Sequence, residues 1–410
     1  MRYPLGLALM IILLGYSCKD PYLPNVIASN RNYLVVEGVI NATPGALTRI
    51  RLTRTTNVGD TAMVAAEQQA NVSVEQDGTI YPLTESDSGY YQISSLHLTG
   101  TTCRLNITTQ KNEQYQSDDI PVKITPLIDS ITYAPKDGGV ALFVTTHDDM
   151  ANTRYYRWEF DETWEYHSPY QSTITYDWSK RMLQYKTLAA QDSLYRCFQS
   201  QASTSIEVSS SETLDKDVIY KYPIAFIPAA SVKLSVLYSL HIRQYALPKA
   251  AYNYFLNLKK TSQNPGDVFG PLPGELKGNI HSLTRKEEVV IGYVTASSIT
   301  EQRIFLYNDP TFYDWKYSFD YDRYAQNAIS IEGIDVTLSD QSKYYLENRS
   351  PCPLDPAAPP CTSTFGACCT HAIPLHLSGP QLLGYVYDTT CIDCIFWGKG
   401  GRKKPDYWPR

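Results

Sequence analysis

The chain has 410 residues, of which 43% are hydrophobic and 19% charged, a composition typical of a folded globular protein. Its formal net charge of −6 lacks the basic excess with which nucleic-acid-binding proteins neutralise phosphates, so we expect no nucleic-acid partner. The sequence contains no P-loop, no G-x-G-x-x-G loop, no H-E-x-x-H motif and no G-x-S-x-G turn. We therefore predict no cofactor, no metal site and a protein that is not an enzyme.

The first seventeen residues predict a secretory signal peptide. Residues 1–2 carry a positive charge, and residues 5–14 form an apolar run. The run is shorter than the roughly 20 apolar residues that span a bilayer, so it is typical of a cleaved signal. Small or turn-tolerant residues at 15–17 precede Cys18. A cysteine at the cleavage point predicts a bacterial lipoprotein that is acylated on Cys18, and ordinary secretion is the alternative.

Lys19 and Asp20 follow the predicted lipid attachment site directly. This basic-acidic pair resembles the surface-export signals of Bacteroidota lipoproteins, which implies a protein that faces the cell exterior. Residues 18–30 contain two Pro, two Asn and one Ser and predict a tether. Because no later apolar run is long enough to span a membrane, we expect the N-terminal lipid to supply the membrane attachment.

Residues 31–127 predict a β-sandwich of the immunoglobulin or transthyretin type. Segments 33–40, 50–54 and 70–75 alternate apolar with polar residues, as half-buried strands do. The pair Asp77-Gly78 predicts a tight hairpin turn. Turn residues recur about every ten residues without helical periodicity, which favours a fold built mainly of short β-strands.

A second, fibronectin-like β domain is predicted for residues 128–308. Its core strands include the one that carries Trp158. The polar, Ser-, Thr- and Gln-rich segment 167–217 predicts an insertion into this domain. Apolar residues at helical spacing after Pro248 predict one helix, over residues 249–261.

Residues 309–410 predict a Cys-rich C-terminal segment that lies across the other domains. Nine cysteines are present, so eight remain after Cys18, and an even number in an exported protein favours disulfides. Zinc ligation and free thiols are the alternatives. Cys103 and Cys197 stand alone in the sequence, and Trp408 is predicted to anchor the tail by packing. The disulfide candidates are Cys352, Cys361, Cys368, Cys369, Cys391 and Cys394.

Carboxylates and aromatic residues cluster around residues 158–166. Asp161 and Glu165 form a pair of carboxylates that glycoside hydrolysis would need at a suitable separation. Neighbouring aromatic rings suit stacking on sugars. The simpler interpretation is an acidic, aromatic strand that faces solvent beside the core. We retain five residues as weak binding candidates: Trp158, Asp161, Trp164, Glu165 and Tyr166.

Three segments in this order and spacing carry a resemblance to a known family. They are residues 33–38, residues 269–281 together with 291–294, and residues 391–408. In these segments the chain resembles a family of Bacteroidota outer-membrane lipoproteins, the domain-of-unknown-function family 4249, whose members often occur beside TonB-dependent receptors. The resemblance implies a location and a partner but transfers no catalytic residue. Within the second segment, Gly278 and Gly292 are predicted to allow close packing or positive φ.

These observations predict a mainly β, lipid-anchored outer-membrane protein that binds a ligand as an accessory of a TonB-dependent nutrient receptor. The ligand is not specified by the sequence. A surface hydrolase acting on glycans or peptides is one alternative. A protein of envelope assembly or adhesion is another.

Overall fold

The computed structural model describes residues 32–56, 65–94, 96–168, 170–177, 179, 182–263, 277–307 and 392–409, and the course of four short strands between residues 328 and 386. The protein is mainly β, as predicted, with several sheets and two helices among these residues.

The first sheet contains eleven strands and is built mainly from the N-terminal part of the chain. Its strands are β1 (Leu34–Asn41), β2 (Thr48–Arg54), β3 (Ala65–Ala66), β4 (Asn71–Gln76), β5 (Thr79–Asp87), β6 (Tyr90–Ile93), β7 (Thr102–Thr108), β8 (Gln114–Ser117), β9 (Ile120–Lys123), β19 (Ile280–Ser282) and β20 (Thr295–Ser297).

Strand pairing closes the first sheet on itself, because β9 pairs with β20 at one side and with β7 at the other. Alternate residues of the longer strands fill the enclosed core; on β1, Leu34, Val36 and Ile40 are fully buried. The predicted hairpin turn is confirmed: Asp77 and Gly78 both have positive φ, and they join β4 to β5.

Two strands of the first sheet come from far along the chain. β19 pairs with β8, and β20 lies parallel to and between β1 and β9. Both strands fall within residues 128–308, the range that the sequence pattern assigned to the second domain. The core of the first sheet therefore includes residues from both parts of the chain, among them Val294 and Ala296.

Two further sheets enclose a second hydrophobic core. A three-stranded sheet consists of β10 (Ile128–Lys136), β11 (Gly139–His147) and β17 (Val218–Pro228). A five-stranded sheet consists of β12 (Tyr155–His167), β15 (Arg196–Ala202), β16 (Glu207–Ser210), β18 (Leu237–Ala246) and β21 (Ile299–Tyr307).

Strand β12 organises the five-stranded sheet, since it pairs with β15, β16 and β18. Its even-numbered side chains from 156 to 166 point into the second core. Its odd-numbered side chains form the opposite face, which carries most of the charges. The segment 167–217, predicted as an insertion, supplies β15 and β16; both lie beside β12, and their polar composition gives no clear strand pattern.

The remaining elements are short. Helix α2 (Lys249–Gln263) confirms the helix predicted after Pro248. Helix α1 (Leu188–Tyr195) was not predicted, because none of its residues is buried and its sequence shows no apolar periodicity. The elements are α1 (Leu188–Tyr195), α2 (Lys249–Gln263), the 3-10 helices Val232–Leu234 and Cys394–Trp397, the hairpin β13 (Ile174–Asp177) and β14 (Met182–Tyr185), and the sheet β22 (Ala328–Ile329), β23 (Ile334–Asp335), β24 (Ile373–Ser378) and β25 (Gln381–Val386).

Candidate functional site

A cleft lies between the outer face of the first sheet and the charged face of the five-stranded sheet. Its volume is about 860 Å³, which falls within the range of small-molecule sites. Below, "the cleft" means the space lined by residues 35–39, Arg51, Tyr90, Arg157, Glu159, Phe160, residues 202–206, Arg243, Tyr254, Phe255, Leu258 and residues 291–293.

One wall of the cleft is a row of side chains across β1, β2 and β6. Glu37 is opposite Arg51, and Arg51 is opposite Tyr90 in the strand register. The guanidinium carbon of Arg51 lies 5.3 Å from the centroid of the Tyr90 ring, and that of Arg49, on the same strand face, lies 3.9 Å from it. The two cations hold the ring through cation–π contacts.

The opposite wall is formed by odd-numbered residues of β12 and their partners on β18. Arg157 and Glu159 form an ion pair on β12. The Tyr245 hydroxyl donates a hydrogen bond of 2.7 Å to Glu159. Arg243 pairs with Asp161 and lies 3.8 Å from Glu159. The cations of this wall are therefore already neutralised by carboxylates of the protein.

Aromatic side chains close one end of the cleft. Helix α2 places Tyr254 and Phe255 there, and Tyr293 packs against Tyr254 at a ring-centroid distance of 5.1 Å. The guanidinium of Arg157 lies 4.4 Å from the Phe255 ring centroid, which ties the helix to the charged wall. Burial raises the pKa of the Tyr254 and Tyr293 hydroxyls, so both stay neutral and can donate hydrogen bonds.

Two glycines allow the chain to place Tyr293 in the cleft. Gly292 has a φ of +117°, and a β-carbon on it would lie 2.0 Å from the carbonyl oxygen of Val36. A β-carbon on Gly278 would lie 1.9 Å from the carbonyl oxygen of Gly292. Both predicted roles, close packing and positive φ, are thus confirmed.

The aromatic binding candidates lie in the core instead of at a surface. Trp158, Trp164 and Tyr166 are at most 3% exposed, because their even-numbered positions on β12 face the second core. The indole N–H of Trp158 donates a 2.8 Å hydrogen bond to the Gln244 side chain. Rings buried in this way offer no stacking surface to a sugar, so these three candidates are corrected to core residues.

The two carboxylate candidates lie on the charged face and are both held by cations. His241 and Arg243 lower the pKa of Asp161 to about 2 in spite of its partial burial. Burial raises the pKa of Glu165, but hydrogen bonds from His167, Arg196 and Trp408 outweigh it and lower this pKa to about 2. Both groups are ionised at neutral pH, whereas a glycosidase pair needs one protonated acid.

A disulfide of the C-terminal segment is confirmed, but with a partner outside that segment. Cys394 is bonded to Cys197 at the start of β15. Cys197 stands alone in the sequence, and a separation of 197 residues from Cys394 gives no sign that the two lie close together in space. Cys103 is a buried free thiol whose pKa is raised by burial to about 12. The other candidates, Cys352, Cys361, Cys368, Cys369 and Cys391, lie outside the described residues.

Three further predictions concern the N-terminus, membranes and metals. Cys18, Lys19 and Asp20 lie outside the described residues. Neither of the two described helices has the length and apolar character that crossing a membrane requires. In the part of the chain that the structure describes, no three His, Cys, Asp or Glu side chains are grouped as metal ligands.

Sequence reasoning missed the cleft because its residues come from eight separate segments. Two segments carried a usable signal: residues 35–38 and residues 291–293 both belong to the segments of the family resemblance. Glu37, Arg51 and Tyr90 become neighbours through strand register, which no single strand pattern reveals.

Solved structures show only weak likeness to this chain. A protein of the DUF3823 family from Bacteroides ovatus matches at 10% identity over 52% of this chain and 90% of its own, with a TM-score of 0.14. A protein from Bacteroides uniformis, provisionally described as carbohydrate-binding, matches at 10% identity over 53% and 91%, with a TM-score of 0.15. At these TM-scores the likenesses support no conclusion about fold or ligand. No curated protein matches the sequence.

A family model gives the clear assignment. The model of a domain of unknown function, DUF4249, matches residues 19–303, which is more than half of the chain and includes every residue that lines the cleft. This agrees with the resemblance seen in the sequence. The chain therefore belongs to the domain-of-unknown-function family DUF4249.

Proposed function

We propose that the protein is a non-enzymatic binding protein that holds a small polar ligand in the cleft. The observation that carries this proposal is the cleft itself: about 860 Å³ with convergent tyrosines, arginines and carboxylates on two rigid sheets. Such an arrangement suits binding because strands fix the polar groups and aromatic rings add contact area at a low entropic cost.

The cleft can be tested by ligand-induced stabilisation. Saccharides and peptides would be screened for a rise in the melting temperature of the full chain, since a ligand that binds only the folded state stabilises it. We expect a stabilising ligand to lose its effect on a Tyr254→Ala variant. Tyr220→Ala is the matched control, because Tyr220 is 71% exposed on β17 and does not line the cleft. Equal ligand responses in the two variants would rule out the cleft as the site.

We further propose that the protein is anchored by a lipid on Cys18, faces the exterior of an outer membrane and assists a TonB-dependent nutrient receptor. The short apolar leader, Cys18 and the Lys19-Asp20 pair support the anchoring. Attachment beside a receptor would keep the binding site at a high effective concentration.

Labelling and a pull-down would test these points. A Cys18→Ser variant should lose metabolic labelling by an alkyne fatty acid, and retained labelling would exclude this attachment site. The lipidated protein, recovered in mild detergent, should bring down a TonB-dependent receptor in stoichiometric amount. Recovery of the protein alone would count against the partner.

We also infer which types of β fold the two parts of the chain adopt. The alternating strands of residues 31–127 support a sandwich of the immunoglobulin or transthyretin type, and the shared core of the three- and five-stranded sheets supports a fibronectin-like unit. A crystal structure compared strand by strand with those folds would test it. The hydrolase and the envelope-assembly alternatives stay predictions, and no contact in the cleft favours either.

A further inference from the structure

We infer that the ligand of the cleft carries a single carboxylate and that Arg51 binds this group. The inference rests on the proposed function and specifies the chemistry of the ligand. The observation behind it is that the arginines of the two walls differ in their ion pairs and in their exposure.

The arginines on β12 and β18 already have partners within the protein. Arg157 is paired with Glu159, and Arg243 with Asp161. Their side chains are 18% and 25% exposed, so little of either guanidinium faces the open space. A ligand would have to displace a carboxylate of the protein to bind them.

Arg51 differs from these two arginines both in its exposure and in its pairing. Its side chain is 40% exposed, and the nearest carboxylate oxygen, on Glu37, lies 3.6 Å from Nη1, beyond hydrogen-bonding distance. Its Nε is shielded from solvent, and among the described residues this atom has no hydrogen-bond partner. A guanidinium that makes no hydrogen bond to a carboxylate of the protein keeps the N–H donors of its exposed part for a ligand oxygen.

The charges around the cleft favour a monovalent anion. Arg157 is paired with Glu159 and Arg243 with Asp161, so among the described lining residues Arg51 is the one arginine with no hydrogen-bonded carboxylate. A dianion such as a phosphate monoester would exceed the single charge of Arg51 and be repelled by Glu37. A planar carboxylate matches both the charge and the fork of N–H donors that a guanidinium presents.

The rest of the ligand would lie against Tyr254, Phe255 and Tyr293. An acidic sugar or a peptide with a free C-terminus has the required carboxylate together with groups that can contact these rings. The experiment therefore uses one matched pair for each ligand class: galacturonate, which carries one carboxylate, with its methyl ester, and a tyrosine-containing tripeptide acid with its amide.

Titration calorimetry on the full chain would compare each acid with its neutral partner. We expect one acid to bind at least about tenfold more tightly than its neutral partner, since a charge-assisted hydrogen bond is lost with the charge. Arg51→Gln should remove that preference. Arg49→Gln is the matched control: it removes an equal charge and an equivalent cation–π contact with Tyr90, but Arg49 does not line the cleft, so the preference for the acid should persist. Tighter binding of the sugar acid would identify an acidic sugar as the ligand class, and tighter binding of the tripeptide acid would identify a peptide C-terminus.

Two results would overturn the inference. The first is equal binding of an acid and its neutral partner, or an unchanged preference for the acid in Arg51→Gln. If Tyr254→Ala still abolishes that binding, the carboxylate inference fails but the proposed binding function of the cleft remains. The other is the absence of binding by both acids at millimolar concentration, with stabilisation of the protein by neutral ligands only. If no ligand of any class responds to Tyr254→Ala, the proposed function fails as well.

Discussion

The indole N–H of Trp408 donates a buried hydrogen bond of 2.9 Å to the Glu165 carboxylate, joining residues 243 positions apart. The Trp408 ring also packs edge-on against Phe198 and Phe305, each at a centroid distance of 5.6 Å. The end of the chain is thereby fixed on the charged face of the five-stranded sheet, which confirms Trp408 as the packing anchor.

Trp408→Phe should lower the free energy of unfolding by about 1–3 kcal/mol, because it keeps most of the ring but removes one donor from a buried carboxylate. Tyr407→Phe is the control, since Tyr407 is 44% exposed and its hydroxyl bonds only to the side chain of Thr163 among the described residues. Urea unfolding would measure both variants. Equal losses would show that the Trp408–Glu165 bond adds nothing specific.

Stability should fall in acid because of Glu165. Its folded-state pKa is lowered from 4.5 to about 2, so its contribution is fully present above pH 4.5 and is lost as the pH falls toward 2. Between pH 7 and pH 3 this group alone should cost about 2 kcal/mol of unfolding free energy. Glu165→Gln should flatten that part of the pH profile. A profile as steep as that of the wild type would contradict the assignment.

Reduction of the Cys197–Cys394 disulfide should remove the covalent link between the tail and β15. In a tryptic digest, the peptide that joins these two cysteines should be present without reductant and absent with it. Cys394→Ser should lower the free energy of unfolding by about 2–5 kcal/mol, because the unfolded chain loses a long cross-linked loop. A different partner for Cys197 in the digest would disprove the pairing.

Gly292→Ala should destabilise the fold by about 3 kcal/mol or more, because a methyl group would combine an unfavourable φ with a clash against Val36. Gly45 provides the matched control, since it also has positive φ but has no atom within 4 Å of the position that a β-carbon would take. Gly45→Ala should therefore cost only about 1 kcal/mol. Thermal unfolding would compare them, and similar losses would exclude the clash.

Local sequence patterns predicted the elements whose formation depends on neighbouring residues. The apolar alternation of β1, the Asp77-Gly78 turn and helix α2 after Pro248 all rest on interactions within a few residues, and each is found in the structure. Helix α1 was missed because its sequence has no apolar stripe; Thr187 caps it by accepting a hydrogen bond from the backbone N–H of Ala190.

The candidate site was not predictable in the same way. The aromatic residues of β12 suggest a surface patch in the sequence, yet the even-numbered ones face the second core and odd-numbered positions carry the charges. The alternation is visible in the sequence, but which face is buried depends on where the three-stranded sheet packs.

The sequence alone determined the mainly β class and the family, because strand alternation, turn residues and the order of family segments are local properties of the chain. Only the tertiary structure decided the insertion of β20 between β1 and β9, the partner of Cys394 and the residues that line the cleft. These contacts join residues up to 256 positions apart, so they depend on how whole sheets pack and on strand register, about which local patterns carry no information.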